Sequence, residues 1–512
     1  MFESIGESDE NETLVEKQFS SVRELFSGPN DYLSSRIDKG IQRFLTSTDK
    51  CSPFNREALI NRYSSFNIPD VGVTFKTYFD YLESQIVPDS SHLASARYLG
   101  HMTCPVPHFI PEVGRLIQSL NQNMVKMETS RGLTILERQS LSLIHKELFG
   151  FNQAFYDAFS QDFTGALGIF TSGGTLANIS ALWAACRNVR AREGNRIEYI
   201  DQVVIGSELM HYSFDKAAEI LGLNLIKLPV DKDNSISPAD LKNKIIECEE
   251  SGKNVIALIG IAGSTDFGSI DPLVEICRLG EEKNIYVHID AAWGGGFLLS
   301  QYKDKILSGI ELADSVTIDG HKQLMMPIGC GLLLFRDPAL SKKIAHHAPY
   351  AAREKSLDQG RYTLEGTRPA NTLYLHACLN IIGRNGYREI FKLAMQNAGF
   401  MADVINDNDS FELTSSPIIN ILTYRYVPKI YRRKKLSHED NFHINEFNKL
   451  LQKAQRAKGN SFVSRTTRPI AKYGTQKLVL LRAVLINPLT TRNDINYVIN
   501  EQLEIAHSLE KP

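Results

Sequence analysis

The chain has little tryptophan (2 residues) and few cysteines (7 residues), and the cysteines at 51, 104, 186, 248, 277, 330 and 378 form no CxxC pair and no metal-ligand spacing. A scattered, odd-numbered set excludes a disulfide framework and a zinc module, and reads as reduced core thiol. No apolar run approaches the roughly 18 residues a bilayer span requires, so no membrane segment is expected. Neither sign of charge dominates: 57 Lys and Arg against 59 Asp and Glu leave a formal charge of −2. That balance gives no footprint for nucleic acid or an anionic membrane. The opening MFESIGESDENETL lacks the apolar stretch of a signal peptide and the basic character of a transit peptide. Its first ten or so residues read as disordered, and the chain as cytoplasmic. No internal repeat is present. The basic run KIYRRKKL at 429–436 reads as a solvated loop.

The composition is that of a globular protein, 43% hydrophobic and 23% charged over 512 residues, long enough for more than one domain. Residues 1–100 read as an N-terminal helical segment, 101–375 as a large domain and 376–512 as a smaller α+β domain. HFIPEVGRLIQSLNQNMVKMETSRG and TILERQSLSLIHKELFGF have helical periodicity, the second with Ile135, Leu136, Leu143 and Ile144 on one face. Short apolar runs then alternate with helical stretches. ALGIF precedes TSGGTLANISALWAACRNVR, QVVIG precedes SELMHYSFDKAAEILG, and NVIALIGIAG precedes PLVEICRLGEEKN; IYVHIDAAWGG, DSVTIDGHK and CGLLLF follow. Near-continuous apolar strands between helices predict an α/β fold with a mostly parallel sheet covered on both faces. The small domain ends in the strand-like KLVLLRAVLIN and a helix that Thr491 and Asp494 would cap.

In such sheets ligands bind beyond the C-terminal strand ends, so the polar residues that close each apolar run are the candidates. In TSGGTLAN, Gly173 and Gly174 let backbone approach a ligand, and Thr175 with the helix N-terminus suits a phosphate; taken alone, a tight βα turn explains it equally well. His211 lies after the next strand, Asp290 ends IYVHI, and Lys322 follows SVTID. Singly, these read as a structural histidine, a helix cap and a surface lysine. Together they supply a phosphate cradle, a flat imidazole, a buried carboxylate and an amine that reacts with aldehydes. These are the needs of pyridoxal phosphate, whose ring acts as an electron sink when its nitrogen stays protonated.

These segments resemble the group II pyridoxal-phosphate amino-acid decarboxylases of fold type I, such as glutamate and aromatic amino-acid decarboxylases, over roughly residues 90–510. The resemblance implies that His211 stacks on the ring, that Thr265 in IAGSTDFGSIDP lies near it, that Asp290 and Ala292 in HIDAAWGGG meet its nitrogen and face, and that His321 lies near the phosphate beside Lys322. It also implies that Tyr350, in HHAPYAAREK, belongs to a catalytic loop, and that Arg482, in LLRAVLIN, holds the substrate α-carboxylate. His101, Asn121 and Asn123 align loosely with segments that contact an acidic side chain. Many members have Asn-Pro-His-Lys where this chain has Asp319-Gly320-His321-Lys322, and DGHKQL is most similar to bacterial aspartate 1-decarboxylases. The expectation is therefore decarboxylation of aspartate to β-alanine, with glutamate or 2,4-diaminobutyrate as alternatives, by a homodimer with shared sites. A cysteine desulfurase is disfavoured because no cysteine follows Cys378. A transaminase, a lipid-phosphate lyase and an inactive scaffold are the remaining rivals.

Overall fold

The computed structural model of the chain describes residues 31–46, 55–65, 67–193, 201–348, 353 and 355–510; the first ten residues, Cys51 and Tyr350 lie outside them. Seven strands build the large sheet: β1 (Gly168–Thr171), β2 (Gln202–Ser207), β3 (Asn224–Leu228), β4 (Asn254–Ile261), β5 (Tyr286–Asp290), β6 (Ser315–Asp319) and β7 (Gly331–Phe335), in the order β1-β7-β6-β5-β4-β2-β3. β2, β5, β6 and β7 are buried at every residue, as strands covered on both faces must be. Alternation sends Val203 and Ile205 into one core and Val204 into the other. β7 departs from the parallel pattern and pairs antiparallel with both β6 and β1. The segment between β6 and β7 is too short for a crossover helix, so the chain must turn straight back. Lys322 sits in that turn, on the short helix Gly320–Gln323.

The second sheet is antiparallel: β8 (Phe411–Ser415), β9 (Ile421–Tyr426), β10 (Ser464–Pro469) and β11 (Lys477–Val484), in the order β10-β11-β9-β8. Its core of Leu422, Tyr424, Tyr426, Leu481 and Ala483 also takes in Leu99, from far upstream. Leu99 N–H donates to the Phe462 carbonyl at 2.8 Å, and its own carbonyl accepts from Val484 N–H at 2.7 Å. Thr491 and Asp494 form the capping box of the last helix, Arg492–Leu509. In KIYRRKKL, Arg433 pairs with Asp409 and Lys434 with Asp440, each at 2.9 Å.

The helix Gly132–Phe149 differs from its apolar reading. Leu143 is exposed, and the buried side carries Thr134, Glu137, Arg138, Ser140 and His145 beside Leu141 and Ile144. Each of these polar side chains has a partner: Glu137 forms a forked pair with Arg368, and Arg138 donates to the carbonyls of Ser160, Asp162 and Gly165. Burial is tolerated because these bonds are made. Cys104, Cys186, Cys248, Cys277, Cys330 and Cys378 are buried, and none forms a disulfide among the described residues. No helix among the described residues is long and apolar enough to cross a membrane.

Candidate active site

The C-terminal ends of β1, β2, β4, β5 and β6 open onto one cavity of about 340 Å³. Gly174, Thr175, His211, Thr265, Asp290, Ala292, His321 and Lys322 all line it, together with Ser172, Gly173, Asn178 and Asp319. β1 ends at Thr171 and the twenty-residue helix Gly174–Glu193 begins three positions later, so its free N–H groups and positive dipole end face the cavity. The turn is crowded. A Cβ at Gly174 would lie 2.8 Å from Asp319 Oδ2, and one at Gly331, where β7 starts, 2.6 Å from Gly173 Cα. Both glycines are therefore required by close approach.

Asp290 is 8% exposed and held at both oxygens. Oδ1 accepts from Ala292 N–H at 3.1 Å and Oδ2 from the Asn178 amide at 3.0 Å. The other Asn178 amide contact runs to Ser213 Oγ, also at 3.0 Å. Ser213 N–H in turn donates to His211 Nδ1 at 3.2 Å. Ser213 thus ties the imidazole that faces the cavity to the amide that supports the carboxylate. Burial holds the His211 pKa below its ordinary value, with Lys322 acting in the same direction and Asp290 against both. Behind the wall, His288 Nε2 lies 3.1 Å from Asn178 Oδ1 and Nδ1 lies 2.8 Å from Ser315 Oγ.

Lys322 Nζ lies 3.2 Å from Asp319 Oδ2, and His321 Nε2 3.7 Å from the same oxygen. His321 Nδ1 takes part in a 2.8 Å hydrogen bond with the Cys330 carbonyl, which orients the ring. Asp319 is 4% exposed, and its Oδ1 has no hydrogen-bond partner among the described residues. At the next position a Cβ at Gly320 would lie 2.3 Å from Met326 Sδ, so any side chain there would have to displace the end of Met326.

Four expected substrate contacts stand outside this wall. Arg482, on β11, is buried and donates to the Thr265 carbonyl at 2.6 Å, the Gly100 carbonyl at 3.1 Å and Ser464 Oγ at 3.0 Å. Burial lowers its pKa. Its Thr265 bond places it one residue behind the cavity lining. His101 is exposed and stacks on Phe462 and Tyr98, with centroids 5.5 and 6.1 Å away. Asn121 is the left-handed C-cap of helix Ile110–Leu120. Asn123 accepts from Val125 N–H and donates to Thr367 Oγ1. Tyr350 lies outside the described residues.

Asn178, Ser213, His288 and Asp319 were not singled out as site residues. Two carried a local signal: His288 and Asp290 are two apart on β5 and share a face, and Asn178 stands one helical turn beyond Gly174.

The donor set fits pyridoxal phosphate. A carboxylate with two donors suits the ring nitrogen, an amine suits the aldehyde, and a helix N-terminus with Ser172 and Thr175 suits the phosphate. Comparison with known proteins agrees. The pyridoxal-dependent decarboxylase conserved domain matches residues 82–427. The chain is 35% identical to an aspartate 1-decarboxylase of Aliivibrio fischeri over 97% of this chain and 96% of that protein. It is 30% identical to an L-2,4-diaminobutyrate decarboxylase of Rhizobium meliloti over 70% of this chain and 71% of that one. Among solved structures, Oryza sativa TDC with PLP and tryptamine has a TM-score of 0.83 at 18% identity, covering 96% of this chain and 99% of its own. Mouse CSAD has a TM-score of 0.81 at 21% identity, with 93% and 99% covered.

Proposed function

The chain belongs to the pyridoxal-dependent decarboxylases, and from that premise we propose that it removes the α-carboxyl group of L-aspartate, releasing CO2 and β-alanine. The observation that carries the choice of substrate is the full-length likeness to the Aliivibrio fischeri aspartate 1-decarboxylase. The 30% identity to a 2,4-diaminobutyrate decarboxylase keeps that amino acid as the second reading, with glutamate as a third.

Bound pyridoxal phosphate supplies an electron sink for the pair left behind when the carboxylate departs. The residues divide the remaining work. Ser172, Gly173, Gly174 and Thr175 hold the phosphate with the helix N-terminus, and His321 flanks it. Asp290 would keep the ring nitrogen protonated, and His211, Ala292 and Thr265 would hold the ring. Lys322 would hold the cofactor at its aldehyde carbon, the atom a substrate amine needs. Arg482 orients the α-carboxylate. Three of its five N–H donors are engaged by Thr265, Gly100 and Ser464, which leaves the two that a forked carboxylate contact takes. Tyr350 delivers the proton to Cα. His101, Asn121 and Asn123 recognise the acidic side chain, with sites completed across a homodimer in the cytoplasm. Tyr350→Phe should slow decarboxylation and divert turnover to side reactions; an unchanged rate and product would remove Tyr350 from this scheme.

The test is CO2 release by the pyridoxal phosphate-loaded enzyme from aspartate, glutamate, 2,4-diaminobutyrate, tyrosine and cysteine sulfinate. One methylene is worth about 1–3 kcal/mol, so aspartate should exceed glutamate by about 10–200-fold in kcat/KM. Faster turnover of 2,4-diaminobutyrate or glutamate would overturn the choice of substrate and leave the roles of the cofactor-binding residues intact.

A further inference from the structure

Asp290 has to meet the ring nitrogen as an anion, and an ionised carboxylate only accepts hydrogen bonds. The Asn178 atom 3.0 Å from Oδ2 is therefore the amide nitrogen, and its second hydrogen goes to Ser213 Oγ at 3.0 Å. With both hydrogens placed, the amide oxygen faces His288 Nε2 at 3.1 Å, so that nitrogen carries the imidazole proton. Nδ1 is then a bare acceptor and takes the Ser315 hydroxyl at 2.8 Å. Full burial keeps the ring neutral, with its pKa pushed down to about 4. Thr317 Oγ1, 3.4 Å from Nε2, is the only other polar side-chain atom among the described residues bonded to the ring, and its distance makes it secondary. Every bond in this chain therefore has one direction, from β6 through β5 to the helix behind the cavity.

We propose that His288 is a positioning residue that keeps Asp290 an anion by fixing which end of the Asn178 amide faces it. The two ends of an amide are nearly the same size, so packing alone cannot choose between them. The Asp290 anion favours the N–H end on its own side, and a donor at His288 Nε2 secures the same choice from the other. If Asn178 turned over, Oδ1 would oppose Asp290 Oδ2, two acceptors at hydrogen-bond distance. The carboxyl would relieve that contact by taking a proton, and the ring nitrogen would lose its anionic partner. His288 reaches no substrate in this scheme; it acts only through Asn178. The inference rests on pyridoxal phosphate as cofactor and is independent of which amino acid is decarboxylated.

The test compares two ligands on the apoenzyme: pyridoxal phosphate, and its 1-deaza analogue with carbon in place of the ring nitrogen. Both bring the same phosphate and the same aldehyde to Lys322. The ratio of their dissociation constants, read by absorption titration, therefore reports the ring nitrogen alone. In the wild type pyridoxal phosphate should bind much more tightly. His288→Leu should shrink the ratio about tenfold, the size of one hydrogen bond to a charged group. His288→Gln, which can again offer an N–H to Asn178, should restore most of it. Asn178→Asp is isosteric and places an acceptor against Asp290, so it should shrink the ratio at least as far and covers a failure of the leucine variant to fold. A general packing defect would weaken both ligands equally. An unchanged ratio in either His288→Leu or Asn178→Asp, or a glutamine variant no better than leucine, would overturn the proposal.

Discussion

On acidification from pH 7.5 to pH 5, the His145→Gln apoenzyme should lose about 2 kcal/mol less folding free energy than the wild type. His145 is fully buried in the ring cluster of Phe149, Phe151, Phe155 and Tyr156. A carbonyl only accepts, so Nε2 must donate to the Phe335 carbonyl at 2.9 Å. Nδ1 then accepts from Tyr156 OH at 2.9 Å, and the ring has no place for a second proton. Burial lowers its pKa to about 4, against about 6.5 in an unfolded chain. Above pH 6.5 neither state binds the proton and the histidine adds no pH dependence. As the pH falls below 6.5 the unfolded state takes up a proton that the folded state refuses, and stability drops until the pH reaches the folded value. With those two pKa values the loss is about 2 kcal/mol at pH 5 and about 3 kcal/mol at pH 4. Glutamine does not titrate and can keep the bond to Phe335. Urea unfolding of both apoenzymes at pH 7.5 and pH 5 isolates the difference whatever the substitution costs at neutral pH. Parallel losses in the two proteins would refute the assigned protonation state.

Three further outcomes follow from the same contacts. Lys322→Ala should abolish turnover with the fold intact by circular dichroism; a retained rate would remove the lysine from the chemistry. Asp319→Asn should tighten pyridoxal phosphate binding, because Asp319 crowds Gly174 at the phosphate cradle and leaves a carboxylate oxygen unsatisfied there. Unphosphorylated pyridoxal should gain nothing, and equal gains for both ligands would place the effect on Lys322 instead. Arg368→Ala strands Glu137, which is fully buried, and should cost about 3–5 kcal/mol, whereas Glu137→Leu with Arg368→Leu should cost far less. Urea midpoints decide, and a double variant that loses the sum of the single losses would refute the pairing.

The strands that surround the site were legible because burial on both faces writes an unbroken apolar run, as in NVIALIGI and GLLLF. β3 and the helix Pro238–Glu250 left a weaker trace. β3 is an edge strand, mostly half-buried, and NLIKL is short. The site residues that end strands were legible for the topological reason that one sheet edge gathers them. Asn178, His288 and Ser315 were not. Their bonds join a helix to two strands across 110 and 27 positions of sequence, and only the packed distance reveals them. The polar face of Gly132–Phe149 misled the periodicity for a related reason. A forked pair with Arg368, 231 residues away, makes Glu137 acceptable inside, and Leu143 is left facing out.

The insertion of Leu99 between Phe462 and Val484 sets a timetable for synthesis. A ribosome adding about 5–20 residues per second needs about 20–75 s to travel the 382 positions that separate Gly100 from its Arg482 partner. During that interval the large sheet can close and the segment around Leu99 has no strand to join. The second sheet is sealed only when β11 emerges. Arg482 arrives on that strand and grips the carbonyls of Gly100 and Thr265 in the same step. Closure of the chain and the Arg482 grip behind the Thr265 wall of the cavity are therefore one event, and a nascent or C-terminally truncated chain has neither.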